Sequence, residues 1–331
     1  MVSPAVAVVA LAPSSAQAQF NNLWFFGDSN TDVFNATGFA AANNLPDPTP
    51  PPYAPGRFTN GPVWSENLAR RFGVPGAAGP AWFGQGNNYA VGGATTGILG
   101  ALNSPTGMLA QGIRFSNDKG SRADPNDLFV LWGGGNDLID AMAAASPNDR
   151  ATRVSNAANK LSQLAASLYG IGARNFLMPL LPNLGATPQF AGDATQAALA
   201  RSLTDTFNQL LGASIQQLGF LPGAKAYSLN LDNLLTNIQI DAAGGGHLYG
   251  ITNTTTPCFL LLQFDSQACD TAAFVDDRHP TTTVHRLIAE AAFDRVTIGQ
   301  DVAVIPEPAT VLLVAGGLAL VGVVARRRRA A

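Results

Sequence analysis

An α/β chain, with a parallel sheet covered by helices on both faces, is predicted by three observations. Four short and nearly continuous apolar runs, Leu23 to Phe26, Leu128 to Trp132, Asn175 to Leu180 and Lys225 to Leu229, are bounded by Gly, Pro or Asn, the pattern of strands buried on both sides. Longer segments, Ala151 to Tyr169, Thr195 to Gln217 and Thr282 to Thr297, carry apolar residues at three- and four-residue spacing and predict helices. The two kinds alternate, and strand, helix, strand is the unit from which parallel sheets are built. In such sheets the functional site lies beyond the carboxyl ends of the strands. Long stretches rich in Gly, Pro and Asn, Asn35 to Gly61, Gly73 to Asn88 and Asp241 to Cys269, interrupt the alternation and are expected to be loops that shape a cleft.

Composition narrows the class. The chain has 331 residues, 47% hydrophobic and 12% charged, enough apolar material for one large domain. Before residue 326 no cluster of Lys and Arg exceeds a pair, so a nucleic-acid partner is excluded on charge. Neither a G-x-G-x-x-G nor a P-loop pattern accompanies the glycine runs, which leaves a nucleotide-binding reading of the same fold without support. No metal or cofactor is expected.

The two ends read as addresses. Met1 to Ala18 has no charged side chain, an apolar stretch from Ala5 to Pro13 and a small-residue site at Ala16-Gln17-Ala18, the later part of a secretory signal peptide cut before Gln19. The basic start usual in such peptides is absent, and an Ala-rich tail is the alternative. At the other end Pro306-Glu307-Pro308 precedes an uncharged run from Ala309 to Ala325 and then Arg326 to Arg329. At about 1.5 Å per residue the run is at the lower edge of membrane-spanning length, with the Arg block on the cytoplasmic side. The order of elements over Ile305 to Arg329 resembles the PEP-CTERM sorting signal of exopolysaccharide-producing Gram-negative bacteria. That resemblance implies an exosortase as partner, transient membrane insertion through the helix, and a final location at the cell surface or in the extracellular matrix. The expected division is residues 1–18 as signal, 19–300 as catalytic domain and 301–331 as sorting segment. Without the four tail Arg and Glu307, the 19 basic and 22 acidic side chains become 15 and 21, so the remainder carries a net charge of −6. The two cysteines, Cys258 and Cys269, form an even pair at short spacing. In an exported chain that reads as a disulfide rather than a metal site, which needs further ligands.

Chemistry enters with Phe26-Gly27-Asp28-Ser29, directly after the first strand. A nucleophilic Ser needs a tight turn at a strand tip and neighbouring N–H groups for an oxyanion; taken alone, the triplet equally suits a helix N-cap. A Ser nucleophile also needs a base, and the chain has three His. His247 follows three glycines and His285 lies on an apolar helical face. Only His279 has a carboxylate close behind it, in Asp276-Asp277-Arg278-His279, where an Asp three residues ahead can orient the imidazole. A solvated loop capped by Thr281 is the competing reading there. Asn136, after the strand Leu128 to Trp132 and three glycines, offers a carboxamide donor at a strand's carboxyl end; capping of the next helix is its alternative.

Four blocks in this order, Phe26 to Ser29, Asn88 to Thr95, Gly133 to Asp137 and Asp276 to His279, resemble the GDSL/SGNH hydrolase family across most of residues 23 to 290. Gly56 to Trp64 and Leu181 to Pro188 are similar to its longer extracellular esterase and phospholipase branch. The resemblance implies a flavodoxin-like three-layer α/β/α fold. It implies Ser29, Asp276 and His279 as catalytic triad, and Ser29, Gly93 and Asn136 as oxyanion donors, with Gly92 as the alternative to Gly93. The implied activity is hydrolysis of a carboxylic ester of a lipid, a short acyl ester or an acylated polysaccharide through a serine acyl-enzyme. Acyl transfer and exopolysaccharide deacetylation use the same triad, and a scaffold that only retains the fold is the non-enzymatic alternative. Two positions depart from the family pattern: Asn30 replaces the Leu of the name motif, and Phe34 stands where Gly is common.

Overall fold

The computed structural model describes residues 20–303; the signal peptide expected from the sequence, and the expected sorting segment beyond its first three residues, lie outside the described residues. Four parallel strands, β1 (Leu23–Gly27), β2 (Leu128–Trp132), β3 (Asn175–Pro179) and β4 (Lys225–Leu229), stand side by side in that order. Leu23 pairs with Leu128, Leu128 with Asn175 and Asn175 with Lys225. All four strands therefore begin in one row, and their carboxyl ends fall along one edge of the sheet. Every residue of β1, β2 and β3 is buried, as continuous apolar runs require when helices cover both faces. The edge strand β4 is largely half-buried.

The helices are α1 (Asn35–Ala42), α2 (Trp64–Arg71), α3 (Met108–Asp118), α4 (Gly135–Met142), α5 (Pro147–Gly170), α6 (Pro188–Ala191), α7 (Ala194–Gly219), α8 (Leu231–Ala243) and α9 (Thr282–Thr297). One layer holds α3, α5 and α7, packed on one another, and the other holds α2 against α9. Side chains start the long helices. Ser146 accepts from Asp149 N, with Pro147 in the first turn, Asp193 accepts from Thr195 N and Gln196 N, and Thr281 accepts from Val284 N.

Beyond β1, Asn88 makes a parallel bridge to Phe25. Phe25 N donates to Asn87 O (3.1 Å), Tyr89 N to Phe25 O (2.8 Å) and Val91 N to Gly27 O (3.2 Å). This minimal strand, preceded by a glycine-rich segment, completes the flavodoxin-like order with its second strand reduced to a ladder of three bonds. Around it Phe26 stacks on Tyr89 at 5.5 Å, with Phe115 edge-on to both.

One loop expectation changes. The stretch Asn35 to Gly61 is not all loop, because α1 occupies its start. Asp32 Oδ1 accepts from Asn35 N (2.8 Å) and Oδ2 from Ala36 N (3.0 Å), which nucleates a helix in a segment of weak propensity. Phe34, just before it, adopts φ +67, the left-handed conformation that explains why Gly is common there. Its strain is offset by a bond from its N–H to Gly56 O (2.8 Å) and by the Arg57 guanidinium 5.0 Å over its ring. The Asp241 to Cys269 stretch holds the expected disulfide. Cys258 and Cys269 are joined with Cα atoms 5.0 Å apart, and the pair packs with Ala272 and Val275 as a small second core against Tyr53 and Phe259. Closing a loop of that size contributes about 3 kcal/mol by chain entropy.

Candidate active site

At the carboxyl end of β1 the chain turns sharply, with Thr31 N and Asp32 N both donating to Asp28 O at 3.0 Å. No regular helix follows at once, so Ser29 caps nothing. The turn is fixed by buried groups from distant parts of the chain. Gln111 of α3 clamps Gly27, accepting from its N–H at 2.9 Å and donating to its carbonyl at 2.8 Å. Trp64 Nε1 donates to Thr31 Oγ1 (3.0 Å), and Asn88 Nδ2 donates to Thr31 O (2.7 Å).

His279 arrives from the other end of the chain, 250 residues away, and its Nε2 lies 2.8 Å from Ser29 Oγ. Its Nδ1 is 2.6 Å from Asp276 Oδ2. Asp276 Oδ1 accepts from the backbone N–H of Arg278 (2.9 Å) and of His279 (2.7 Å). Tyr53 OH donates to Asp276 Oδ2 at 2.6 Å. Burial alone raises the Asp276 carboxyl, but the hydrogen bond and charge of His279, with the Tyr53 hydroxyl and the His279 N–H, outweigh it and hold the group well below the usual carboxylate range. Burial together with the bond to Asp276 pushes the Tyr53 phenol upward, so it stays a donor. The Phe58 ring lies 5.4 Å from the imidazole. Beside Ser29, burial pushes the Asp28 carboxyl up to about 6, against the Asn30 N–H and the charge of His279.

Two further segments face the same point. Gly92 N donates to Asp32 Oδ2 at 2.7 Å, whereas the Gly93 N–H has no acceptor among the described residues. Gly93 takes φ +75, and a Cβ on it would crowd Ala101, so the position demands glycine. Asn136, in the first turn of α4, donates from Nδ2 to Ala94 O at 2.9 Å, which leaves the second hydrogen of its carboxamide free of that bond. Its side chain is thus turned to the Gly93 loop rather than to capping. Asp137 holds the same loop, accepting from Thr96 N and Thr96 Oγ1, each at 2.8 Å.

The structure therefore brings Ser29, His279 and Asp276 into one hydrogen-bonded line with Gly93 and Asn136 nearby. The other histidines stand apart: His247 is exposed in the turn after α8, and His285 is buried in α9, where burial and then the charge of His279 depress its imidazole to about 3. Thr281 does cap α9, and it does so beside the Asp276 to His279 segment, so both readings of that loop hold together. Sequence reasoning missed Tyr53, Gln111 and the clamping role of Asp32. Asp32 carried a signal, an acid one turn ahead of a helix start; Tyr53 and Gln111 carried none, since their partners are 223 and 84 residues away. No group of His, Cys, Asp and Glu able to hold a metal ion occurs among the described residues.

Comparison with known proteins gives the family. The family model described as GDSL-like Lipase/Acylhydrolase matches residues 23–292, and that of the PEP-CTERM protein-sorting motif matches residues 304–329. The chain is 32% identical to an uncharacterized protein of the trpE-trpG intergenic region of Pseudomonas putida, covering 92% of this chain and 54% of that one. It is 28% identical to esterase EstA of Pseudomonas aeruginosa, covering 92% of this chain and 51% of that one. The chain thus spans about half the length of these curated relatives. Among solved structures it is similar in outline to Est24, a carbohydrate acetylesterase from Sinorhizobium meliloti, at 13% identity and a TM-score of 0.46 over 84% of this chain and 99% of that one; at that level the likeness carries no functional weight. The sorting motif implies export and sorting to the cell surface. Among the described residues no helix is long and apolar enough to cross a membrane.

Proposed function

This chain belongs to the GDSL-like lipase/acylhydrolase family, and from that premise we propose that it hydrolyses carboxylic esters through an acyl-enzyme on Ser29. The observation that carries the proposal is the unbroken line from Ser29 Oγ to His279 Nε2 (2.8 Å) and from His279 Nδ1 to Asp276 Oδ2 (2.6 Å). His279 takes the Ser29 proton as Oγ attacks the ester carbonyl, and Asp276 holds the imidazole's Nδ1–H and stabilises the cation that forms. The carbonyl oxygen becomes an oxyanion held by the N–H groups of Ser29 and Gly93 and by Asn136 Nδ2. Gly93 rather than Gly92 fills this role, because the Gly92 N–H is already committed to Asp32. The intermediate collapses, the C–O bond breaks, and the alcohol leaves with the proton from His279. Water then repeats the sequence on the acyl-enzyme and releases the acid.

The same proposal takes residues 19–300 as the hydrolase and 301–331 as an address cut by an exosortase, with the apolar run 309–325 inserted in the membrane only before cleavage. The test of the chemistry is Ser29→Ala assayed on a panel of esters. Loss of at least about 10⁴-fold in kcat/KM with an unchanged circular dichroism spectrum is expected. Activity within a few-fold of wild type overturns the assignment.

A further inference from the structure

Two mainly apolar cavities lie close to the candidate site, and they differ in size. One, lined beside Ser29 by Asp28 and Asn30 and deeper in by apolar side chains such as Leu181, Leu234 and Ile288, has a volume of about 80 Å³, too small for more than a short acyl group. The other is a cleft of about 810 Å³ that begins at Gly92, Gly93 and Phe58 and runs between α1 and the segment 101–106. Its floor is aromatic and fixed: Phe39 packs edge-on to Trp82 at 5.1 Å, and Trp82 Nε1 spends its hydrogen on Tyr89 O at 2.9 Å. Polar side chains at its wall are occupied with each other, Ser104 Oγ lying 2.9 Å from Thr106 Oγ1. Its lips are exposed leucines, Leu45 at 47% and Leu102 at 83% exposure. Leu102 also holds a left-handed backbone at φ 55, a cost that β-carbon-bearing residues bear only where the surroundings impose it.

Building on the ester-hydrolase reading, we propose that this cleft is the binding site for the acyl chain of the substrate, and that the preferred substrates are esters of medium- to long-chain fatty acids rather than acetyl esters. The cleft is continuous with Gly93, whose N–H would hold the carbonyl oxygen, so an acyl group attached at that carbonyl enters it directly. An acetyl group leaves nearly all of the 810 Å³ unused, and the walls offer an acylated sugar few free hydrogen-bond partners. An alkyl chain needs none and gains from each methylene it removes from water.

The test is a series of p-nitrophenyl esters from acetate to laurate on the full chain. The expected result is a rise in kcat/KM of about fourfold per methylene until the cleft is filled. Leu45→Trp and Asn43→Trp place bulk at two exposed positions lining the cleft, and each should lower the decanoate-to-acetate ratio by about tenfold or more, the loss of two or more buried methylenes. Competitive inhibition of acetate hydrolysis by free fatty acids, strengthening with chain length, measures the same site in the wild-type protein without relying on either variant. A flat or falling profile with active acetate hydrolysis overturns the acyl-cleft proposal and leaves ester hydrolysis standing. A rise seen instead with a series of alkyl acetates assigns the cleft to the alcohol and overturns it also. No hydrolysis at any length, with no labelling of Ser29 by a phosphonate, overturns both readings.

Discussion

The two halves of the site are held in different ways. Ser29 stands on backbone: β1 is buried along its length, and the turn after it is pinned by Gln111, Trp64 and Asn88, all buried. The segment Asp276 to His279 has no strand beneath it and is held by side chains from loops together with scattered backbone bonds, such as that from Gln189 N of α6 to Asp277 O (2.8 Å). Tyr53 OH bonds Asp276, Thr59 Oγ1 donates to Pro280 O (2.7 Å) and Asn60 Oδ1 accepts from Thr282 N (2.8 Å). Tyr53 in turn packs edge-on at 5.0 Å against Phe259, next to the disulfide at Cys258. The proposed nucleophile is therefore built onto the end of a sheet strand, whereas its proposed base is delivered by a loop that other loops must fix. Removing Ser29 or His279 should remove the chemistry outright, whereas removing a loop group that supports the second half should degrade alignment.

Asn136→Ala tests the sheet-borne half next to Ser29 itself. Removing one oxyanion donor should lower kcat by about 10² to 10³ with KM little changed. A change confined to KM, measured in the same steady-state assay, would move Asn136 from the oxyanion to substrate binding. In the loop-borne half, Tyr53→Phe keeps the ring that packs on Phe259 and deletes only the hydroxyl. A hydrogen bond to a charged group contributes about 1.5 kcal/mol, so kcat should fall by roughly tenfold with KM unchanged. Activity equal to wild type would show that the backbone N–H groups of Arg278 and His279 orient Asp276 unaided.

A separate effect is expected on stability rather than on rate. His285 follows the loop on α9, and its imidazole is depressed from 6.5 to about 3 by burial and by the charge of His279. The unfolded chain binds this proton near 6.5 and the folded chain only near 3, so the contribution is complete above the higher value and is lost as the pH falls between them. At pH 4.5 the loss is on the order of 3 kcal/mol, a drop of several degrees in Tm for a domain of this size. His285→Leu should remove that part of the difference between Tm at pH 7 and at pH 4.5. An equal difference in both proteins would assign the acid sensitivity in this window to groups other than His285; Asp276, held below the usual carboxylate range, loses its contribution only at lower pH.

What the sequence revealed follows the same division. The four strands and the helix Thr282 to Thr297 are continuous local patterns, and the structure places them where the pattern does. Ser29, His279 and Asp276 were legible because each carries its chemistry in a short string. Gly92 and Gly93 could not be separated, since the distinction depends on where the Asp32 carboxylate points. The helix α1 was hidden because its start is set by that same carboxylate and not by propensity. Tyr53 lay in a Pro-rich loop with nothing near it in sequence to suggest Asp276 as its partner. Interactions that close only on folding were the ones out of reach.

Activation of Ser29 by His279 is measured most directly with a fluorophosphonate that reacts with activated serines, followed by mass mapping of the adduct. A single adduct on the peptide containing Ser29, abolished in Ser29→Ala and in His279→Ala, is the result this account predicts. Labelling that persists without His279, or an adduct on another residue, would contradict it.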